Sequence, residues 1–251
     1  MELYGLLGYP LGHSFSAKYF AEKFRIEGIE AVYKNFEYPS VEEAMAYLLS
    51  QPNLKGFNVT IPYKQAVLPY LSGISPEAEA IGAVNVVCVR QTECGKNVLF
   101  GCNSDVIGFR ESIRPLISKE EHKRALVLGT GGASKAVMYG LKQLGITATY
   151  VSRTASVDRL TYEDLTEEVI SSHKVIVNCS PVGMFPKVDN CPDIPYRWLT
   201  PKHLLYDLVY NPLETLFMKR GVEQGAVVKN GIEMLHLQAE AAWDMWHSEE
   251  W

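Results

Sequence analysis

Lys64 lies in a segment whose residue types suit proton transfer. Apolar residues alternate with Asn58 and Thr60 between Gly56 and Lys64, so both polar side chains point to one side at the end of a predicted strand. Pro62 suits the first turn of a following helix, which places Lys64 near a helix N-terminus. A cation there can stabilise negative charge that develops on an oxygen and then donate a proton. The alternative is a solvated surface lysine.

A glycine-rich turn forms the second candidate site. The apolar run Ala125–Leu128 stops at Gly129-Thr130-Gly131-Gly132, and a helical pattern follows. A buried strand, a tight glycine turn and a helix N-terminus together bind a pyrophosphate, because the backbone approaches closely and the first N–H groups of the helix point at the anion. The spacing GxGGAS is a variant of the dinucleotide fingerprint, so an ordinary glycine turn in an α/β protein is the alternative.

The next strand end indicates which dinucleotide binds. About twenty residues after the turn, where NAD-binding proteins carry an acidic residue, stands Ser152-Arg153-Thr154. A basic residue at this place suits a 2′-phosphate, so the sequence predicts NADP rather than NAD. An arginine that is simply exposed at the surface is the alternative.

Polar residues at the boundaries of predicted elements are weaker candidates. Ser14 and Ser16 begin a helical pattern that runs to Gly28, where they could cap the helix or hold a carboxylate at its positive end. Asn85 interrupts an apolar strand, and a buried amide needs hydrogen-bond partners. Asp105 precedes a helix that begins near residue 106, and its simplest role is that of an N-cap.

Composition restricts the class of protein. A chain of 251 residues can bury a substantial core in one or two domains, and its net charge of −5, with both signs interspersed, argues against a nucleic-acid-binding surface. We expect no membrane span, because no apolar run is long enough, and the first residues suit a strand better than a signal peptide. The five cysteines form no Cys-x-x-Cys pair, which argues against zinc or a disulfide framework and favours a reducing cytoplasm.

The second half of the chain alternates strand and helix patterns. This βαβ rhythm is typical of a parallel, doubly wound sheet. The predicted strands are Ala125–Leu128, Thr147–Val151, Val175–Asn178, Leu204–Asp207 and Ala226–Val228. Met184 lies in the loop after the third of these strands, at the end of the sheet where ligands bind in such folds. Core packing is the alternative for this methionine.

In combination these motifs resemble the shikimate dehydrogenase family over nearly the whole chain. Before the glycine turn the resemblance rests on Ser14-x-Ser16, Asn58-Val59-Thr60-Ile61-Pro62-x-Lys64, Gly82-Ala83-Val84-Asn85 and Asn103-Ser104-Asp105. After it, the resemblance rests on Asn178-Cys179-Ser180-Pro181-Val182-Gly183-Met184, Tyr206-Asp207-Leu208-Val209-Tyr210 and Gly231…Met234-Leu235…Gln238. The combined spacing is far more specific than any single motif.

The resemblance implies an activity and an α/β fold with two domains. The activity is the reversible, NADPH-dependent reduction of 3-dehydroshikimate to shikimate in aromatic amino acid biosynthesis. The fold is an α/β substrate-binding catalytic domain over residues 1–102 and a Rossmann-type, NADP-binding domain over residues 103–230. A helix over residues 231–251 returns to the first domain. We expect a small-molecule substrate, no nucleic-acid or membrane partner, no metal, and a monomer or homodimer.

The resemblance also assigns roles to individual residues. Lys64 and Asp105 would be catalytic, and Ser14 and Ser16 would hold the substrate carboxylate. The other substrate-side residues would be Asn58, Thr60, Asn85, Tyr210 and Gln238. The cofactor would contact Gly129, Gly131, Gly132, Ala133, Ser152, Arg153, Thr154, Met184 and Gly231, with the last two near the nicotinamide. The second basic residue that the family often has soon after Arg153 is missing, and Arg159 stands slightly further on.

Two alternatives remain open at the level of sequence. One is a quinate/shikimate dehydrogenase with broader substrate use or with NAD; Arg153 weighs against NAD, but nothing in the sequence excludes quinate. The other is a catalytically silent dinucleotide-binding module that regulates a partner. The presence of both Lys64 and Asp105 argues against a silent module.

Overall fold

The computed structural model describes residues 1–12, 14–93 and 95–248. Contacts divide the chain into two compact units: residues 1–104 with the chain from Ala239 onward, and Asp105–Gln238. The domain limits predicted from the sequence end at residue 102 and resume at 231, so they differ from the contact boundaries by two and eight residues. Within the described residues, no helix has the length and apolar character that crossing a membrane requires.

The first unit is a mixed sheet with helices. Its strands are β1 (Glu2–Gly8), β2 (Ala31–Glu37), β3 (Leu54–Val59), β4 (Gly73–Ile74), β5 (Val86–Gln91) and β6 (Asn97–Cys102), and its first helices are α1 (Phe15–Glu27), α2 (Val41–Leu49) and α3 (Pro76–Ile81). The strand order is β2-β1-β3-β5-β6-β4. β1 runs parallel to β2 and β3, whereas β5 runs antiparallel to β3 and β6.

The helix predicted to begin at Pro62 does not form. Residues 61–67 make consecutive turns, which a short 3₁₀ helix, Leu68–Tyr70, continues. The amide of Tyr63 donates to the carbonyl of Thr60, and the amide of Val67 donates to the carbonyl of Tyr63. Pro62 therefore occupies a turn position, which its fixed φ also suits, and the expectation that Lys64 sits at a helix N-terminus is wrong.

The second unit is a parallel α/β domain. Its helices are α4 (Asp105–Ile113), α5 (Gly132–Gln143), α6 (Glu167–Ser172), α7 (Leu216–Glu223) and α8 (Ile232–His247), of which α8 continues into the first unit. Its strands are β7 (Arg124–Leu128), β8 (Thr147–Ser152), β9 (Arg159–Thr161), β10 (Val175–Asn178), β11 (Leu204–Asp207) and β12 (Val227–Lys229). Asp105 is the first residue of α4 rather than its N-cap, which corrects the sequence-based interpretation.

The sheet of the second unit has doubly wound topology. The strand order is β9-β8-β7-β10-β11-β12, and every neighbouring pair is parallel. The order reverses between β7 and β10, and ligands bind at such a switch point. The α/β class and the Rossmann-type sheet predicted from the sequence are confirmed, with all five predicted strands placed to within one residue. β9 is missing from that prediction because three residues are too few to show a periodicity.

An aromatic cluster forms much of the core on one face of the first unit. Tyr4 of β1 packs against Trp246 of α8 with ring centroids 4.9 Å apart, and Phe20 of α1 lies 5.3 Å from the same ring. The indole Nε1 of Trp246 donates to the carbonyl of Val87 at 3.1 Å. The end of the chain thereby completes a core that β1 and α1 begin.

Candidate active site

The candidate residues of the first unit gather at one edge of its sheet. Parallel strands β1 and β3 end there, β5 begins there because it runs antiparallel to β3, and β6 ends there. Loops and turns at such an edge carry side chains that can converge on a ligand. The residues in question are Ser14, Ser16, Asn58, Thr60, Lys64 and Asn85.

The two serines belong to the N-terminus of α1. Ser14 is the N-cap, and its Oγ accepts a hydrogen bond from the amide of Ala17 at 3.3 Å. Ser16 lies in the first turn, and both side chains are half-buried. The capping interpretation therefore holds for Ser14. Binding of a carboxylate by these hydroxyls stays a prediction, which the positive end of the 13-residue helix α1 supports.

A buried polar network joins the strand ends. The hydroxyl of Tyr33 donates to Asn58 Oδ1 at 2.8 Å, and Asn58 Nδ2 donates to the carbonyl of Asn85 at 3.3 Å. Asn85 exchanges hydrogen bonds with Ser104 at 2.7 and 3.0 Å. Burial raises the pKa of the Tyr33 phenol, so the hydroxyl stays protonated. Amide orientations are thus fixed along this edge.

Hydrogen bonds of the backbone and of a neighbouring side chain hold the turn that carries Lys64. Its carbonyl accepts a hydrogen bond from the amide of Val84 at 2.8 Å, which ties the turn to the segment before β5. The preceding residue, Tyr63, is buried and donates its hydroxyl to the carbonyl of Tyr38 at 2.6 Å. The turn that carries the half-buried Lys64 side chain is therefore anchored on both sides.

The glycine turn of the second unit has the form of an anion cradle. Gly129 has φ +104°, a backbone conformation that favours glycine, and a Cβ built on it would lie in ordinary van der Waals contact with the backbone of Cys179 and Ser180. Gly131 is the N-cap of α5 and has open space where a side chain would stand. Gly132 and Ala133 form the first turn of α5, whose N–H groups can hydrogen-bond a phosphate.

The residues expected to select the cofactor follow β8. Ser152 ends the strand, and its Oγ accepts a hydrogen bond from the amide of Thr154 at 3.2 Å, while Arg153 and Thr154 are exposed. Arg159 makes a bidentate ion pair with its neighbour Asp158, with both contacts at 3.0 Å. Arg159 is thus engaged by a carboxylate, whereas the Arg153 side chain faces solvent.

The loops after β10 and β12 carry the cofactor-side candidates Met184 and Gly231, and the loop after β11 carries the substrate-side candidate Tyr210. Met184 and Tyr210 are 45% and 37% exposed, which excludes core packing as the role of Met184. A Cβ on Gly231 would lie 2.2 Å from the carbonyl oxygen of Leu208, so only glycine fits there. All three loops stand at the carboxyl ends of parallel strands, the position that the sequence predicted for the loop of Met184.

Asp105 and Gln238 lie on two helices that pack together within the second unit. Asp105 is buried at the start of α4, and Gln238 donates Nε2 to the carbonyl of Leu235 in α8. A Cβ on Gly108 would lie 2.6 Å from the carbonyl oxygen of Met234 and 2.9 Å from Cβ of Gln238. This glycine therefore permits the close approach of α4 to α8.

Comparisons with known proteins decide the family. The sequence model of the shikimate dehydrogenase substrate binding domain matches residues 6–87. A protein from Clostridium beijerinckii, shikimate dehydrogenase (NADP(+)), is 39% identical over 98% of this chain and 92% of its own length. This chain belongs to the shikimate dehydrogenase family. The family resemblance drawn from the motifs is confirmed.

Solved structures of family members match the fold. Shikimate 5-dehydrogenase from Thermus thermophilus, in complex with NADP(H) and shikimate, is 32% identical with a TM-score of 0.84, covering 98% of this chain and 93% of its own. Quinate dehydrogenase from Corynebacterium glutamicum, in complex with NAD, is 26% identical with a TM-score of 0.86, covering 98% and 93%. Backbone similarity therefore does not separate shikimate from quinate enzymes.

Several buried polar residues were missed from the sequence. Tyr33 donates its hydroxyl to Asn58 Oδ1, and Asp207 accepts from Thr215 Oγ1 at 2.6 Å. The available signal was a polar residue ending an apolar run, as Asp207 does after Leu204–Tyr206. That signal does not name a partner eight or more residues away, and the partner defines the role.

Proposed function

We propose that this chain catalyses the reversible, NADPH-dependent reduction of 3-dehydroshikimate to shikimate. The observation that carries the proposal is the near full-length match, at 39% identity, to an NADP-dependent shikimate dehydrogenase. Lys64 and Asp105, the two residues expected to be catalytic, are both present. In this role the chain is an oxidoreductase of aromatic amino acid biosynthesis.

The residues at the glycine turn fit the cofactor. The open space at Gly131, the positive φ at Gly129 and the first N–H groups of the 12-residue helix α5 suit a pyrophosphate. The exposed guanidinium of Arg153 suits a 2′-phosphate, because arginine binds phosphate through paired N–H donors. NADPH supplies a hydride when bound. Met184 and Gly231 flank the nicotinamide in this proposal.

Lys64 would provide the electrostatic and acid catalysis. Reduction of a ketone develops negative charge on the carbonyl oxygen, and a positioned ammonium stabilises that charge. The same ammonium can then donate a proton to the oxygen, and it accepts the proton in the reverse direction. The Asp105 carboxylate would orient Lys64 and stabilise its charge. The anchored turn limits the movement of Lys64, which favours catalysis through positioning.

The other substrate-side residues divide into binders and supports. Ser14 and Ser16 would donate hydrogen bonds to the substrate carboxylate at the N-terminus of α1, and Thr60, Tyr210 and Gln238 would bond its hydroxyls. Asn58 and Asn85 are only 6% and 3% exposed and already hydrogen-bonded, so they would frame the substrate position by fixing the strand ends.

A cofactor-oxidation assay on the purified protein tests the proposal. It compares 3-dehydroshikimate with 3-dehydroquinate, each with NADPH and with NADH. We expect turnover confined largely to 3-dehydroshikimate with NADPH. No turnover with any pair, in a protein that binds NADPH, would favour the silent regulatory module instead.

The second candidate function is that of a quinate/shikimate dehydrogenase. The observation in its favour is the TM-score of 0.86 to a quinate dehydrogenase bound to NAD. Comparable turnover of both acids, or of either acid with NADH, would move this chain to that branch. The exposed Arg153 supports NADP and therefore the first candidate.

Replacement of Arg153 with alanine is expected to impair NADPH much more than NADH. A charge-assisted hydrogen bond contributes roughly 1.5–3 kcal/mol, so the KM for NADPH should rise about 10- to 100-fold, while the KM for NADH changes less than about threefold. Arg159 cannot readily substitute, because Asp158 already engages it. The matched control is Arg124→Ala at the exposed start of β7. Equal effects of Arg153→Ala on both cofactors would contradict the assignment of Arg153 to the 2′-phosphate.

We also propose that the enzyme works in the cytoplasm on small molecules, as a monomer or homodimer. Cys88, Cys102, Cys179 and Cys191 are free thiols, which suits a reducing compartment. Light scattering on the purified protein measures the oligomeric state, and a larger assembly would contradict that part of the proposal.

A further inference from the structure

Asp207 is a buried carboxylate that joins three segments of the second unit. It ends β11, is 0% exposed, and accepts three hydrogen bonds. The donors are Asn178 Nδ2 at 2.9 Å, the amide of Val209 at 3.0 Å and Thr215 Oγ1 at 2.6 Å. These donors come from the end of β10, the loop after β11 and the N-cap of α7.

Three donors around one carboxylate favour its charged form. Burial raises the pKa of Asp207 to about 6, and the bonds from Thr215, Val209 and Asn178 act in the opposite direction. All three neighbouring groups donate to Asp207, so its carboxylate acts only as an acceptor in this arrangement. A buried charge is tolerated when it is fully hydrogen-bonded, so these contacts cannot be lost without cost.

The carboxylate of Asp207 determines which way the side-chain amide of Asn178 is turned. Since an ionised carboxylate cannot donate, Asn178 must turn its NH₂ group toward Asp207. Its Oδ1 then accepts from the amide and the hydroxyl of Ser180, at 3.1 and 2.6 Å. Asn178 Nδ2 also donates to the carbonyl of Val182 at 3.3 Å. The loop that leads to Met184 is thereby fixed through Asn178.

The other two segments connect to Tyr210, on the substrate side, and to Gly231, on the nicotinamide side. Val209, whose amide bonds Asp207, directly precedes Tyr210, and its carbonyl accepts from the amide of Gly231 at 3.3 Å. The loops are also joined to each other, because the amide of Phe185 donates to the carbonyl of Asn211 at 3.0 Å. Met184, Tyr210 and Gly231 therefore all depend on the same anchor.

We propose that Asp207 is a positioning residue that sets the geometry for hydride transfer by fixing the loops of Met184, Tyr210 and Gly231. This inference rests on the proposed function. Because Asp207 is fully buried, it acts through these loops and not by contact with substrate or cofactor. The glycine turn that would hold the pyrophosphate belongs to a different segment, so we expect loosening of these loops to affect transfer geometry more than cofactor affinity.

The test compares Asp207→Asn and Thr215→Val with Thr215→Ser, which keeps the hydroxyl. Thr215 also caps α7 by accepting from the amide of Met218, so the matched control is Thr166→Val, which removes the equivalent cap of α6. For each variant we measure kcat, the Kd of NADPH, the primary deuterium isotope effect with NADPH labelled at C4, and amide hydrogen exchange.

We expect Asp207→Asn and Thr215→Val to lower kcat about 10- to 100-fold, the range that a misplacement of reacting groups produces, with an increased isotope effect. The Kd of NADPH should change less than about threefold, which corresponds to a change in binding free energy of less than about 0.7 kcal/mol. Amide exchange should become faster in 179–185 and 208–211 but not in 129–134. Thr215→Ser should recover most of kcat, and Thr166→Val should leave it unchanged.

Two results would overturn the inference. One is a kcat within about twofold of wild type in both Asp207→Asn and Thr215→Val. Such a change is well below the expected loss of at least about tenfold, which corresponds to 1.4 kcal/mol. The other is a loss of kcat and of NADPH binding that follows the unfolded fraction, with no local change in exchange. A wild-type protein without turnover would instead contradict the proposed function, and hydrogen exchange would still decide whether Asp207 fixes the loops.

Discussion

Lys64→Ala is expected to lower kcat for 3-dehydroshikimate reduction by about 10²–10⁴-fold, the usual contribution of a positioned general acid. The loss would be larger in kcat than in KM, because the ammonium acts on charge that exists only as the hydride is transferred. The turn around Lys64 is held by backbone contacts and by Tyr63 and does not depend on the Lys64 side chain. The free energy of unfolding of the Lys64→Ala protein should therefore differ from that of wild type by less than about 1 kcal/mol.

Two further variants make the Lys64 test specific. Lys55→Ala removes an exposed lysine of β3 in the same unit, whose Nζ lies 3.9 Å from Glu2, and it should leave kcat unchanged. Lys64→Arg keeps the positive charge in a different geometry and should recover only part of the rate. Near-normal turnover by a folded Lys64→Ala protein would remove Lys64 from the mechanism.

Trp246→Ala should destabilise the protein by roughly 3–5 kcal/mol, as loss of a fully packed tryptophan usually does. The indole is 3% exposed and fills the space over Gly56, where a built Cβ would lie 2.3 Å from its Cδ1. Its removal also leaves the carbonyl of Val87 without its Nε1 donor. Unfolding monitored by circular dichroism in denaturant measures the change.

Conservative and neighbouring substitutions separate packing from the hydrogen bond. Trp246→Phe keeps much of the aromatic contact with Tyr4 and Phe20 but loses the Nε1 donor, so its cost should be nearer to the ~1 kcal/mol of one hydrogen bond. Asp244→Ala changes an exposed residue of the same helix and serves as the control. A loss below about 1 kcal/mol in Trp246→Ala would show that this core tolerates the cavity.

The sequence by itself determined the α/β class, the glycine turn and the positions of the parallel strands in the second half. Those features depend on neighbours along the chain: an apolar run, a glycine and a helical pattern follow one another from Ala125 to Gln143. Motif order along the whole chain also sufficed to identify the family. These elements can be recognised from local sequence patterns because the periods of strands and helices are properties of the backbone itself.

Only the tertiary structure decided how the polar side chains are used. The sequence around Pro62 fits a helix start as well as a turn, and the structure shows a turn that the buried Tyr63 anchors through its bond to the carbonyl of Tyr38. The partner of Asn58 is Tyr33, 25 positions earlier and separated from it in the sheet by β1. Asp207 meets Asn178, 29 positions earlier, because the neighbouring strands β10 and β11 place them side by side. Hydrogen bonds and packing act over distances in space, so residues far apart in sequence determine the roles of Asn58, Asp207 and Trp246.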